Sequence, residues 1–186
     1  MKKLFTLAIV ILISAICFGQ TIMPIDSNTY RITYQQVVEL PNLKSEELYL
    51  KAKEWFSNAF VRGKSVIDLD DDKGFKIIGK GTVNITFKNE LGNIGDGGNV
   101  SFKISLFFKD NRYKYIITDF IHEQSPGMTS RRAIGGPLES EKPACGRYLL
   151  PMKYWERVHE DTQSQIEQLI LSLNKFLKGQ NSSEGW

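Results

Sequence analysis

Along this chain the spacing of apolar residues switches between periods of two and of three to four, and each switch predicts an element. Over residues 30–40, Tyr30, Ile32, Tyr34, Val38 and Leu40 alternate with Arg31, Thr33, Gln35 and Glu39, the period of a half-buried strand. Pro41 and Asn42 break it. Ser45 offers a hydroxyl that can accept from an unpaired amide, and Glu46 and Glu47 suit the positive end of a helix dipole, so a helix with Ser45 as N-cap is predicted. Leu48, Ala52, Trp55, Phe56, Ala59 and Phe60 give it one apolar stripe, and Gly63 is its predicted stop.

Four strands are predicted next, over residues 66–70, 75–88, 100–109 and 112–123. Asp110-Asn111 is a two-residue link that tolerates positive φ, and four glycines in residues 92–98 predict a flexible hairpin loop, so neighbouring strands should pair antiparallel. Residues 124–146 are rich in Gly and Pro and lack periodicity, reading as an irregular arm or crossover. A second helix is predicted over 154–178, with Trp155, Val158, Thr162, Ile166, Leu169, Leu173 and Phe176 on one stripe, followed by a frayed tail at 179–186. The order β-α-β-β-β-β-α predicts an α+β domain. Each helix has a single stripe to bury, so both should cover one face of a five-stranded antiparallel sheet and leave the other bare.

The start of the chain speaks to compartment. Lys2 and Lys3 precede an apolar run over residues 4–18, and Cys17 and Gly19 are small residues placed for cleavage ahead of Gln20, as in a secretory signal peptide over residues 1–19. Gln20 and Pro24 stop the run short of the roughly 20 apolar residues a membrane span needs. Lipid attachment at Cys17 is disfavoured by Ile16, where a smaller residue is expected. The expectation is an exported, periplasmic or extracellular protein with residues 20–29 as a lead, no transmembrane helix in the mature chain, and Cys145 as its single thiol, unable to form an internal disulfide.

Composition adds little about a partner. The chain has 186 residues with 24 Lys and Arg against 21 Asp and Glu, and loss of Lys2 and Lys3 would take the formal net charge from +3 to +1. That is too near neutral for a phosphate-binding footprint, and no nucleic acid is expected as partner.

Three stretches are more distinctive: Leu43-Lys44-Ser45-Glu46-Glu47-Leu48-Tyr49 with Ala52 and Trp55, Gly74-Phe75-Lys76-Ile77-Ile78-Gly79-Lys80-Gly81, and Lys109-Asp110-Asn111-Arg112-Tyr113-Lys114-Tyr115. Together they resemble a bacterial secreted family known as a domain of unknown function with a TBP-like fold, over roughly residues 30–123. The resemblance implies a curved antiparallel sheet backed by helices. It implies no activity and supplies no functional residue, and the fold label by itself transfers no DNA binding.

Strand parity marks one surface. Lys76, Lys80 and Lys88, then Lys103 and Lys109, then Arg112 and Lys114 fall opposite the apolar set from Phe75 to Ile117, sharing their face with Ile78, Phe107, Ile116 and Phe120. These cations and Phe107, with Arg131 and Arg132 of the irregular segment, are the candidate binding residues, for an envelope protein or an anionic polymer. The plain alternative is a solvated sheet face whose lysines discourage edge pairing. A second candidate is a pocket between sheet and C-terminal helix, lined by Phe102, Phe108, Tyr113 and Trp155, carrying a small apolar ligand.

Enzyme chemistry has little support. Asp68, Asp70, Asp71 and Asp72 lack EF-hand spacing, since Lys73 and Gly79 stand where Gly and Glu are needed, and a polar turn closing at Gly74 is expected. Gly79-Lys80-Gly81 lies in a strand pattern with no helix after it to aim amides at a phosphate; close approach of a helix, or a bulge, is the expected reason for its glycines. His122 and His159 lack a second His at zinc spacing and are expected to be surface or partly buried residues. No metal, cofactor or catalytic residue is predicted, and the chain is expected to be a non-enzymatic binding module.

Overall fold

The computed structural model describes residues 23–60, 66–88, 92, 94–123, 134–146 and 150–179. The predicted signal peptide with Cys17, the helix stop at Gly63, the Lys88 side chain, residues 124–133 and the tail beyond Gly179 lie outside the described residues. The elements are β1 (Tyr34–Glu39), α1 (Ser45–Ala59), β2 (Val66–Asp71), β3 (Lys76–Lys88), β4 (Ile94–Lys109), β5 (Arg112–Glu123), β6 (Gly136–Pro137) and α2 (Met152–Leu177). The sheet runs β1-β5-β4-β3-β2 and every pairing is antiparallel, with the two-residue β6 added beside the end of β5.

Both helices lie on one face of the sheet, as their single stripes require. Leu48, Tyr49, Ala52, Trp55 and Phe56 of α1 and Trp155, Val158, Ile166 and Leu173 of α2 are buried with Ile77, Ile85, Val100, Phe102, Ile104, Leu106, Tyr113 and Ile117 of the strands. The helices are also joined to each other: the Trp55 indole N–H donates to Ser172 Oγ at 3.1 Å. Tyr113, on the sheet, donates its hydroxyl to Asn174 of α2. Gly81 lets α1 come this close. A Cβ there would stand 2.4 Å from Phe102 Cζ and 2.8 Å from Phe60 Cε1, so only glycine admits the two rings over β3.

The β4–β5 hairpin caps α1. Ser45 is the first helical residue, not the N-cap, and Lys44 at the cap position makes no side-chain cap bond. The orphan Ser45 amide instead donates to Asp110 Oδ1 at 2.9 Å, and that bond holds the Asp110 carboxyl below its ordinary pKa. Asn111, at φ 65°, accepts from the Asn42 amide through its side chain at 2.8 Å and donates its own amide to Leu43 O at 2.8 Å. The Asp-Asn turn therefore closes a hairpin and anchors the β1–α1 connection at once.

Three further expectations change. β1 is shorter than residues 30–40, because the Asp26 carboxylate accepts from the Asn28 and Thr29 amides and the turn leaves Tyr30 at φ 56° and 77 % exposed. The glycine-rich stretch is largely strand: β4 starts at Ile94, and a bulge near Gly97 and Gly98 absorbs the glycines. Phe120 does not share the lysine face. A second bulge, between the pairs Ser101–Ile121 and Lys103–Thr118, puts Asp119 at φ 61° and turns Phe120 into the core against Tyr34 and Phe102.

Candidate functional site: the uncovered sheet face

Register arranges the uncovered face in rows that cross the strands. One row runs Lys76, Phe107, Lys114 and Val37; the next runs Ile78, Ser105, Ile116 and Gln35; a third pairs Lys80 with Lys103 and reaches Thr118. At the hairpin end Lys109 pairs with Arg112, which in turn pairs with Glu39. A row holding two isoleucines and no charge thus lies between two cationic rows. Lys76 Nζ sits 5.2 Å from the centre of the Phe107 ring, a cation–π contact that fixes both side chains.

Charge on this face is only partly answered. Lys80 comes within 3.9 Å of Asp68 and Arg112 within 4.0 Å of Glu39, both long contacts between exposed groups. Among the described residues, Lys76, Lys103, Lys109 and Lys114 have no carboxylate within 4.0 Å. Seven of the sequence-predicted binding residues, Lys76, Lys80, Lys103, Phe107, Lys109, Arg112 and Lys114, are on one face together. Arg131, Arg132 and the Lys88 side chain lie outside the described residues.

At the β5 bulge this face becomes concave. A depression of about 550 Å³ is lined by Lys80, Ser101, Lys103, Asp119 and Ile121 of the long strands, by Tyr30 and Arg31 of the segment before β1, and by Pro137 of β6 and Glu139 after it, with Phe102 and Phe120 also contributing. Arg31 is ion-paired with Asp119. Glu139 Oε1 accepts from the Ile32 amide at 2.9 Å, tying the segment after β6 to the one before β1. Parity reasoning missed Tyr30, Arg31, Asp119 and Glu139. One sign was present: Asp119 occupies an inward position in an otherwise regular alternation, and Phe120 follows it out of phase.

The histidines are structural bridges in this geometry. His122 is not at the surface; it is 1 % exposed. Its Nδ1 accepts from the Gly135 amide at 3.1 Å, so Nε2 carries the proton and donates to Gly97 O at 2.8 Å, and burial pushes its pKa below the ordinary imidazole value. Trp155 packs edge-on against His122 and His159, and its indole N–H donates to Ser140 O at 3.0 Å. His159 places both ring nitrogens on carbonyls, Trp155 O at 2.8 Å and Leu138 O at 2.7 Å. This group clamps residues 134–140 to sheet and helix, so that part of the predicted irregular segment is fixed.

The remaining candidates have local explanations. Asp71 Oδ1 accepts from the Lys73 and Gly74 amides in the predicted polar turn. Asp70 takes Lys53 Nζ at 2.6 Å and the Tyr49 hydroxyl, which hold its pKa down. The Cys145 thiol is pushed up by burial, away from the reactive thiolate. Among the described residues no His, Cys, Asp and Glu group has metal-holding geometry, and no helix is long and apolar enough to cross a membrane. Of the aromatics expected around a sheet–helix pocket, Phe108 and Tyr113 stack on each other in the core and line neither the depression above nor a second one. That second depression, about 710 Å³, opens beside the start of α2 and is lined by Met23, Ile25, Met152 and Trp155 together with Glu139, Glu141, Glu156 and Glu160.

Comparison with known proteins agrees with this architecture. The model of a domain of unknown function with TBP-like fold (DUF4468) matches residues 34–123. A TBP-like protein from Parabacteroides distasonis superposes with a TM-score of 0.64 at 15% identity, covering 84% of this chain and 97% of its own. A DUF4468 family protein from Bacteroides ovatus gives 0.64 at 11% identity, covering 82% and 90%. These are likenesses of fold. No curated protein matches the sequence.

Proposed function

We propose that this chain, whose residues 34–123 match the model of a domain of unknown function with a TBP-like fold (DUF4468), is an exported, non-enzymatic binding module whose uncovered sheet face takes an anionic partner. The observation that carries the reading is a set of lysines on one face, Lys76, Lys103, Lys109 and Lys114, with no carboxylate within 4.0 Å among the described residues. Like charges on adjacent strands repel, and an acidic protein segment or an anionic polymer laid across the rows would relieve that repulsion. Ile78 and Ile116 between the cationic rows add an apolar strip for contact. Export is supported by the charged and apolar pattern of residues 1–19.

The test is titration with poly-L-glutamate and with dextran sulfate at two salt concentrations. Reversal of Lys76, Lys109 and Lys114 to Glu should weaken binding at least about tenfold, and binding by the unmodified protein should fall as salt rises. Equal affinity of the reversed and unmodified proteins would dismiss the face as the contact surface.

A further inference from the structure

We propose that the depression at the β5 bulge is a discrete site for a small amphipathic monoanion, an aromatic or alkyl body bearing one carboxylate or sulfonate. The inference rests on the preceding reading only in that Lys80 and Lys103 belong to the same face. It stands on features confined to the depression. Lys80 and Lys103 are direct partners across β3 and β4, a like-charge pair that costs stability unless an anion lies between them. The lining carries three cations and two carboxylates, a formal sum of +1: Arg31 answers Asp119, while Glu139, held by the neutral Ile32 amide, keeps its charge. The balance left on Lys80 and Lys103 is positive. Lys103 has no carboxylate within 4.0 Å among the described residues, and Lys80 has only the long contact to Asp68 at 3.9 Å.

The walls supply the apolar half. Tyr30, 77 % exposed, lines the depression together with Ile121 and Pro137. Tyr30 and Asp119, two of the described non-glycine residues with positive φ, both line the depression, a conformation that costs free energy and recurs where a backbone is held for binding. A volume of about 550 Å³ lies within the usual range for small-molecule sites, about 300–1,000 Å³. A ligand seated with its head between Lys80 and Lys103 would lay its body against Tyr30 and Ile121.

The test uses 8-anilinonaphthalene-1-sulfonate and its uncharged counterpart N-phenyl-1-naphthylamine, with fluorescence titration of the folded full chain. Binding of the sulfonate should saturate at one per chain. It should weaken at least about tenfold in the double variant Lys80→Glu/Lys103→Glu, the loss expected when charge-assisted hydrogen bonds are removed. Tyr30→Ser should weaken both dyes. Lys76→Glu/Lys114→Glu should leave sulfonate binding unchanged, and near-ultraviolet circular dichroism identical to the unmodified protein keeps a loosened core from producing the signal. Absence of saturable binding, equal sulfonate affinity in the Lys80/Lys103 variant, or equal affinity of the two dyes would each overturn the site. Polymer binding reports separately on Lys76, Lys109 and Lys114, so the site falls alone if the sulfonate fails while polymer binding persists, and survives alone if the reverse is found.

Discussion

The two faces of the sheet are made by the same strands and meet opposite fates. On the helix side, Ile77, Ile85, Val100, Ile104, Leu106 and Ile117 are sealed under α1 and α2, and Gly81 is needed to let Phe60 and Phe102 meet. On the other side, one residue along each strand, lysines stand in rows with few carboxylates to answer them. The difference teaches that packing determines the residues of the first face and tolerates wide choice on the second. A charge pattern on the second face therefore carries more information about binding than any single core residue does.

Substitutions should separate the faces by size of effect. Trp55→Ala, which empties the seam between α1 and α2 and removes the bond to Ser172, should cost about 3–5 kcal/mol in urea unfolding. Gly81→Val should cost about 1–3 kcal/mol by overpacking against Phe102 and Phe60; a neutral outcome would mean that the helix side is looser than its contacts imply. Thr162→Val should raise stability by about 1 kcal/mol, because the Thr162 hydroxyl is buried without a hydrogen-bond partner. Reversing Lys76 and Lys114 to Glu should move stability by no more than about 0.5 kcal/mol while weakening binding of the anionic polymers, which would mark that face as dispensable for folding.

His122, at the edge where the covered face meets the bulge, gives the comparison a pH dependence. Burial lowers its native pKa, so in acid the unfolded chain takes up a proton that the folded chain resists. Its contribution is complete above the ordinary imidazole pKa of about 6.5 and is lost as pH falls from there towards the lowered native value. The slope of stability against pH in that window should vanish in His122→Gln. A slope that persists in this variant would assign the titration elsewhere.

Much of the architecture was legible because each element has a single stripe. The 3.6-residue spacing of Leu48, Ala52, Trp55 and Phe56 and the alternation from Val100 to Phe108 each name the buried side without reference to the rest of the chain. The cap of α1 was misread at Ser45 because its acceptor, Asp110, lies 65 residues away and arrives only when the hairpin docks. Phe120 was misplaced because parity assumes an unbroken ladder, and one bulge residue reverses every side chain beyond it. The depression as a whole was not legible in sequence, although Lys80 and Lys103 were: Tyr30, Arg31, Lys80, Lys103, Asp119 and Glu139 come from five separate stretches.

By itself the amino-acid order determined the periods, and through them the elements, the covered face and the lysine-bearing reverse, since side-chain direction within a helix or strand is a local property of the backbone. Tertiary structure alone decided which carboxylates the cations meet, where the ladder bulges, and that a lead, a sheet end and a short added strand enclose one hollow. Those outcomes depend on distances between residues remote in the chain, which no local spacing encodes.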